Sequence, residues 1–197
     1  TTEIYTFPTR RSSDLHSQMK IAGLERELPL CPINDELYIG AFVMFGDVEI
    51  TRAAASELLK KAPEFDVIVT AESKGIPLAY EMARQSGDKD YVVCRKAQKL
   101  YMLDIIETVV DSITTDNVQK LCLGQSDIAL LENRRVLIVD DVISTGESLK
   151  SIEKLLEQID CDIAGKMAVL AEGDAIKRDD IIYLEELPLF NPDGSVK

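Results

Sequence analysis

Two adjacent carboxylates, Asp140 and Asp141, directly follow an apolar run from Val136 to Val139. Short runs rich in β-branched residues are typical of strands that are buried on both faces. The two acids therefore stand where the chain leaves such a strand. Their oxygen atoms suit sugar hydroxyls or a hydrated divalent cation, and they would repel a phosphate placed directly beside them.

A turn of small residues comes next, followed by an amphipathic helix. The turn contains Ser144, Thr145, Gly146 and Ser148, and the apolar residues after it recur at helical spacing from Leu149 to Ile159. The first turn of a helix offers unpaired N–H groups and the positive end of the helix dipole, so a phosphate can bind there without a basic side chain. One phosphate, a diol and a metal together describe a ribose 5-phosphate.

A simpler interpretation is an ordinary connection between a strand and a helix, in which the serine and threonine side chains only cap the helix. Capping does not require two adjacent acids upstream, so we favour the sugar-phosphate interpretation. The usual nucleotide-binding loops do not occur, since the chain contains neither Gly-x-x-x-x-Gly-Lys nor Gly-x-Gly-x-x-Gly.

Two further segments carry groups that suit a polyanion. The stretch Ala71 to Gly75 follows a second strand-like run, and its lysine and glycine supply a point charge and close backbone access. Arg95, Lys96 and Lys99 follow a third such run and form a cluster of cations in an otherwise acidic chain. Taken alone, the first segment is typical of a plain loop and the second of a solvated run of charges.

Strands and helices that would position these groups alternate along the chain. Strands are predicted at 38–45, 65–70, 91–95, 119–124, 136–139, 167–171 and 181–184, and helices at 50–61, 76–85 and 149–159. This alternation predicts an α/β fold with a mostly parallel, twisted sheet flanked by helices. Ligands in such sheets gather at the carboxyl ends of the strands, so the three segments are expected to face one cleft. Residues 100–117 show no clear period, and we expect a mobile hairpin there.

Length and composition exclude several classes. A chain of 197 residues suits one domain with an added flap or hood, and the net charge of −13 argues against nucleic acid or an anionic membrane as partner. The four cysteines are too far apart to form a metal-binding pair. Cys94 and Cys122 lie in apolar runs, which predicts buried free thiols in a reducing cytosol.

The first 18 residues are expected to be non-native or disordered, so that a single domain spans 19–197. The stretch Phe7 to Leu15 resembles the in-frame translation of a primer used for short-read sequencing libraries, and the alternative is a disordered polar terminus. Because the only histidine, His16, falls in this segment, we assign it no catalytic role.

The segment Val136 to Ser148 resembles the phosphoribosyl diphosphate signature of the type I phosphoribosyltransferases: apolar strand, two acids, two apolar residues, a small residue, Thr-Gly, any residue, then Ser or Thr. Ala71 to Gly75 resembles the pyrophosphate loop of purine-type members. Arg95 to Leu100 is similar to the Arg-Lys-x-x-Lys-Leu segment of the adenine enzymes. Met44 to Val48 resembles their Phe-Arg-Asp-Ile hood, with Gly46 in place of arginine.

The resemblance implies the type I phosphoribosyltransferase fold, with a small N-terminal hood and a flexible hairpin. It implies transfer of a 5-phosphoribosyl group from its diphosphate to a purine, adenine first, with release of pyrophosphate in purine salvage. It also implies Mg2+ as cofactor and a cytoplasmic homodimer. The residues to which it assigns roles are Asp140, Asp141 and Lys74 for catalysis; Ser144, Thr145, Gly146, Glu147, Ser148, Glu72, Ser73, Gly75, Arg95, Lys96 and Lys99 for phosphoribosyl diphosphate; Met44, Phe45, Gly46 and Glu172 for the base; and Asp140 and Asp141, through water, for the metal.

Two positions depart from the family pattern. The adenine enzymes carry a glutamate in the mobile loop, where this chain has Ser112 to Asp116 with no carboxylate at the matching position. Ser144 stands where the hypoxanthine-guanine members carry an aspartate. The alternatives are therefore a xanthine or guanine phosphoribosyltransferase, and a regulator that binds phosphoribosyl diphosphate without turnover. The absence of a helix-turn-helix pattern before residue 50 counts against a DNA-binding regulator.

Overall fold

The computed structural model describes residues 15–110 and 119–197. Its elements are, in chain order, β1 (His16–Ile21), β2 (Leu24–Pro32), β3 (Tyr38–Gly40), α1 (Val48–Lys61), β4 (Val67–Ala71), α2 (Ile76–Gln85), β5 (Tyr91–Cys94), β6 (Ile106–Val110), β7 (Gln119–Leu123), α3 (Gln125–Leu131), β8 (Arg135–Ile143), α4 (Glu147–Leu156), β9 (Asp162–Glu172), a 3-10 helix (Gly173–Lys177), β10 (Ile182–Leu187) and β11 (Leu189–Phe190).

Five parallel strands form the central sheet in the order β10-β9-β8-β4-β5. Consecutive residues of β8 pack on opposite faces, because side chains alternate along a strand. Leu137 and Val139 pack with apolar residues of α1 and α2, whereas Val136 and Ile138 pack with those of α4. The predicted α/β fold, a parallel sheet covered by helices on both faces, is confirmed.

An antiparallel sheet of β1, β2, β3 and β11 forms the small N-terminal hood. No strand was predicted before residue 38. The structure corrects this: Pro29 pairs with His16 at the end of the β1–β2 ladder, and Pro32 is the last residue of β2, so neither proline interrupts the pairing. Strand β1 also includes the stretch from His16 to Gln18, which the boundary at residue 18 had left out of the fold.

The hairpin was predicted at 100–117, and 119–124 was predicted as a separate strand. In the structure that strand, β7, pairs antiparallel with β6 in a sheet of their own and meets the parallel sheet through a bridge between Cys122 and Arg95 at the end of β5. Residues 111–118, which include Ser112 to Asp116, lie outside the described residues, and the mobility of the predicted hairpin stays a prediction. Helix α3 was not predicted because only Leu131 of its seven residues is buried.

The cysteine prediction is confirmed, since Cys94 and Cys122 are free and fully buried. Burial in apolar surroundings raises the pKa of both thiols. No helix in the described ranges is both long and apolar enough to cross a bilayer.

Arg26 of the hood is clamped to the start of α1. Its guanidinium donates to both carboxylate oxygens of Asp47 at 2.7 and 3.1 Å and to Glu49 at 2.8 Å. Asp47 is the N-cap of α1, and its side chain accepts a hydrogen bond from the Ile50 N–H at 3.0 Å. The Arg26 guanidinium lowers the pKa of Asp47, so one charged carboxylate holds the hood and starts the helix.

We expect Asp47→Ala to lower the free energy of unfolding by about 1–2 kcal/mol, because it removes both the helix cap and the pair with Arg26. Asp47→Asn, which keeps a capping oxygen, should cost less. Urea unfolding at pH 7 measures both. Asp174→Ala is the control, since Asp174 is 95% exposed and pairs only with Lys177 in the described part of the chain. Equal losses for Asp47→Ala and Asp174→Ala would contradict the clamp.

Candidate functional site

The central sheet splits beside the acidic pair. Strand β4 pairs with β8 only as far as Ile138, whereas β9 stays paired with β8 as far as Ile143. The sequence predicted that Asp140 and Asp141 follow the end of the strand. They lie inside β8 instead, because pairing with β9 keeps the strand extended on one side. On the other side the ladder is open, and this gap is the floor of a cleft.

The two carboxylates differ in environment. Asp140 is half-buried and lines a cavity of about 50 Å³ with the turn from Ser144 to Ser148. Asp141 is buried, and its Oδ2 lies 4.0 Å from Nζ of Lys74. That Oδ2 atom has no hydrogen-bond partner among the residues described. Asp140 thus faces the predicted phosphate turn, and Asp141 keeps an acceptor atom toward Lys74.

Burial and the neighbouring charge of Asp141 raise the pKa of Asp140 to about 8. The Asp141 N–H also donates to Asp140 Oδ1 at 2.9 Å, which fixes the orientation of the Asp140 carboxylate. A site that holds two carboxylates this close gains most from a cation that neutralises them.

Gly75 joins the loop after β4 to β8. A β-carbon on Gly75 would lie 2.2 Å from Oγ1 of Thr70 and 3.1 Å from Oδ1 of Asp140. Only a glycine allows this approach, which brings Lys74 of the loop to the acidic pair. Ser73 and Lys74 are exposed at the mouth of the cleft.

Glu72 connects the same loop to the basic segment after β5. Its carboxylate accepts a hydrogen bond from the Lys96 N–H at 3.0 Å and lies 4.0 Å from Nη1 of Arg95. The Lys96 N–H, and then the charges of Arg95, Lys99 and Lys96, lower the pKa of Glu72. The binding of the ligand by Glu72 stays a prediction. In the structure its carboxylate bonds to the backbone of Lys96 and lies near Arg95, so it ties the loop after β4 to the basic segment after β5.

The turn after β8 has the form that an anion site at a helix N-terminus requires. Gly146 is the N-cap of α4 with φ of +76°, a conformation that glycine adopts without strain. Ser144 and Thr145 are exposed, Glu147 and Ser148 are half-buried, and the Glu147 N–H donates to Thr145 Oγ1 at 3.4 Å. Buried Leu149, Ile152 and Leu155 hold α4 against the sheet.

The predicted base residues fall in two places. Met44 and Asp47 close a turn with a 3.1 Å hydrogen bond from the Asp47 N–H to the Met44 carbonyl, and Gly46 takes φ of +82° within it. This positive φ explains the glycine, since arginine would be strained there. The Met44 side chain is buried in the core, whereas Phe45 is 52% exposed.

Met44 and Gly46 line a cavity of about 520 Å³ between α1 and α2, which also includes Pro77 in the first turn of α2. Glu172 is the last residue of β9, which pairs with β8 on the side away from β4. Burial raises the pKa of Glu172, and the charge of Lys74 opposes this shift.

Sequence analysis missed two residues of this site. Thr70 is fully buried at the end of β4, and its Oγ1 has no partner among the residues described, although it packs against Gly75. Arg178 follows the 3-10 helix and lies against Gly146. No local pattern marks either one, since a threonine in an apolar strand is typical of core, and an arginine beside Asp179 and Asp180 is typical of a solvated turn.

Asp140→Asn should stabilise the protein in a pH-dependent way when no divalent cation is present. In the folded protein the pKa of Asp140 is about 8, well above the value of about 3.9 for an aspartate in an unfolded chain. Between these values the unfolded chain releases a proton that the folded chain keeps, so the wild type loses stability as pH rises. The Tm advantage of the variant should therefore grow from pH 5 to pH 8 in EDTA. Exposed Asp88 gives the control Asp88→Asn, and an advantage independent of pH would contradict the assignment.

Comparison with known proteins agrees with this geometry. Residues 47–188 match the family model described as the phosphoribosyl transferase domain. The adenine phosphoribosyltransferase of Acetivibrio thermocellus is 31% identical over 192 residues, which cover 88% of this chain and 91% of that protein. The xanthine phosphoribosyltransferase of an Exiguobacterium species is 30% identical over 123 residues, or 62% of this chain and 62% of that protein.

Among solved structures, the adenine phosphoribosyltransferase of Thermoanaerobacter pseudethanolicus is 22% identical and superposes with a TM-score of 0.62, covering 73% of this chain and 84% of that one. The shared architecture confirms the fold, and the sequence match to residues 47–188 includes the acidic pair, the Gly75 loop and the turn before α4. The chain belongs to the phosphoribosyl transferase family.

Proposed function

We propose that the protein is a purine phosphoribosyltransferase that acts on adenine in purine salvage. It transfers a 5-phosphoribosyl group from phosphoribosyl diphosphate to the base and releases pyrophosphate. The observation that carries this proposal is the packing of Gly75 against Asp140, which unites a lysine loop, two acids and a helix N-terminus in one cleft. The adenine-specific relative, matched over nearly its whole length, supports the choice of base.

The cleft divides by charge into three subsites. The turn from Ser144 to Ser148 binds the 5-phosphate through the N–H groups at the start of α4. Asp140 and Asp141 accept hydrogen bonds from the ribose hydroxyls. Lys74 and the cations after β5, namely Arg95, Lys96 and Lys99, bind the pyrophosphate. This order matches the donor, whose ribose lies between its 5-phosphate and its diphosphate.

Catalysis in this proposal is electrostatic. The transition state resembles an oxocarbenium ion, with positive charge on the anomeric carbon and negative charge growing on the pyrophosphate. Lys74 lies 4.0 Å from Asp141 in the free protein and stabilises the leaving group once the donor is bound. The two carboxylates face the ribose and favour the positive charge that develops on it.

The donor set fits Mg2+. Two neighbouring carboxylates, one with a buried oxygen that lacks a described partner, offer the hard ligands that this ion takes together with water and substrate phosphates. Asp140 and Asp141 would hold it through water. When bound, the ion neutralises charge on the diphosphate. EDTA should therefore abolish nucleotide formation without unfolding the protein.

For the base we propose the turn of Met44, Phe45 and Gly46, together with Glu172. The ring of Phe45 is half-exposed and can stack on a purine, and backbone groups of the turn can bond to its edge. Gly46 leaves this edge open where the adenine enzymes carry arginine. This difference keeps xanthine and guanine as alternative bases, as the xanthine-specific relative also suggests.

Turnover tests the proposal. The protein is incubated with labelled phosphoribosyl diphosphate, Mg2+ and each purine in separate reactions. Adenine nucleotide as the main product supports the proposal. Nucleotide formed only with xanthine or guanine would change the assigned base from adenine to that purine. Donor binding without product from any base would overturn the enzyme assignment and leave a regulator that senses the donor.

The double variant Asp140→Asn with Asp141→Asn should lose donor binding at least tenfold in calorimetry while it stays folded by circular dichroism, because it removes both the diol acceptors and the metal ligands. The matched control, Asp88→Asn with Asp90→Asn, removes the same two charges just before β5, at the amino ends of the strands. Unchanged donor affinity in the first variant would refute the site.

We also propose a cytoplasmic homodimer, in which the segment after β5 packs against a second copy. Leu100, Tyr101 and Leu103 directly follow the basic cluster and are 106%, 72% and 70% exposed. Three exposed apolar side chains within four residues favour a partner surface. The resemblance to the family also implies a homodimer.

Sedimentation equilibrium should give twice the chain mass of 21.9 kDa for the wild type. Leu100→Ser with Leu103→Ser should shift the protein toward the monomer, because the dimer would bury these side chains. The control is Ile33→Ser with Val196→Ser, two exposed apolar residues in other parts of the chain. A wild type that sediments as a monomer would contradict the proposal.

A further inference from the structure

Arg178 lies against the turn that begins α4. A β-carbon on Gly146 would be 2.6 Å from Nη1 of Arg178 and 3.9 Å from its Cζ, so the tip of the guanidinium points at the turn. The chain reaches this point because β9 ends beside β8, and the 3-10 helix then turns back toward β10. Residues far apart in sequence therefore meet at one helix N-terminus.

One edge of this guanidinium is already fixed. Nε and Nη2 donate to Oδ1 and Oδ2 of Asp180 at 2.8 and 2.7 Å, and Lys166 donates to the same Asp180 carboxylate at 3.0 Å. Nη1, the atom that faces Gly146, has no hydrogen bond to any of the residues described. The paired edge sets the direction of the side chain, and the Nη1 donors are left for another acceptor.

The charge around the turn makes such a donor useful. The stretch from Asp140 to Ser148 contains three acids, Asp140, Asp141 and Glu147, and no basic residue. A phosphate dianion bound by the helix N–H groups would lie among these negative charges, and the helix dipole contributes only about half a unit charge. A fixed guanidinium beside Gly146 supplies the opposing charge.

We infer that Arg178 binds the 5-phosphate of the donor through Nη1, as a substrate-binding residue supplied by the connection between β9 and β10. The inference rests on the proposed function, because it adds a ligand to the same phosphate site. The guanidinium bridges Asp180 and the phosphate, a pairing that lysine cannot reproduce because it lacks the planar fork.

The test measures binding of two fragments of the donor. Ribose 5-phosphate probes the turn before α4, and pyrophosphate with Mg2+ probes the Lys74 and Arg95 side of the cleft. Arg178→Ala should weaken ribose 5-phosphate binding about tenfold, the effect of losing one charge-assisted hydrogen bond, and leave pyrophosphate binding within about twofold. The matched control is Lys177→Ala, which removes the neighbouring positive charge; Lys177 is 80% exposed and pairs with Asp174.

Arg178→Gln keeps the bulk of the side chain and serves if the alanine variant unfolds. Selective loss of ribose 5-phosphate affinity in either folded variant, with Lys177→Ala unchanged, supports the inference. The inference is overturned if the variants bind both probes equally more weakly, or if their ribose 5-phosphate affinity stays within twofold of the wild type. In either case the proposed function still stands if the wild type turns over its substrates. A wild type that binds neither probe overturns both.

Discussion

The site depends on a single close contact, the packing of Gly75 against Thr70 and Asp140. The sheet has already split at this level, since β4 no longer pairs with β8, and no backbone hydrogen bond between the two strands holds the gap. A small residue fills it instead. The loop that carries Lys74 can therefore approach the strand that carries Asp140 because Gly75 has no side chain.

Across the cleft, positively and negatively charged groups alternate from the segment after β5 to the turn before α4. Glu72 binds the backbone of Lys96 in the basic segment after β5, Lys74 approaches Asp141, and Asp140 faces the turn before α4. Each charged group is partly compensated by a neighbour from another loop. The cleft consequently presents cations on the β5 side and N–H groups on the α4 side of two central acids, which suits a ligand with phosphates at both ends.

Much of this was predictable from the sequence, and the reasons are local. At both strand-to-helix connections, an apolar run is followed within a few residues by charged or small residues, such as Asp140 and Gly75. Helix α2 was predicted with its observed bounds. The family resemblance predicted the hood, but its strands β1 and β2 were not predicted, because prolines are typical of breaks in a strand and β2 contains two of them. Arg178 was not predicted because its contact with Gly146 joins segments distant in sequence, and its neighbours Asp179 and Asp180 do not indicate that contact.

The clamp between Arg26 and Asp47 has an effect beyond local stability. Asp47 is the last residue of the turn that contains Met44 and Gly46: its carboxylate binds the hood and caps α1, and its backbone N–H closes the proposed base turn. Any opening of β2 away from α1 releases that turn as well. The apparent affinity for the base is then lowered in proportion to the fraction of molecules with a detached hood. Substitutions far from the purine can therefore change its binding by shifting the equilibrium between attached and detached hood.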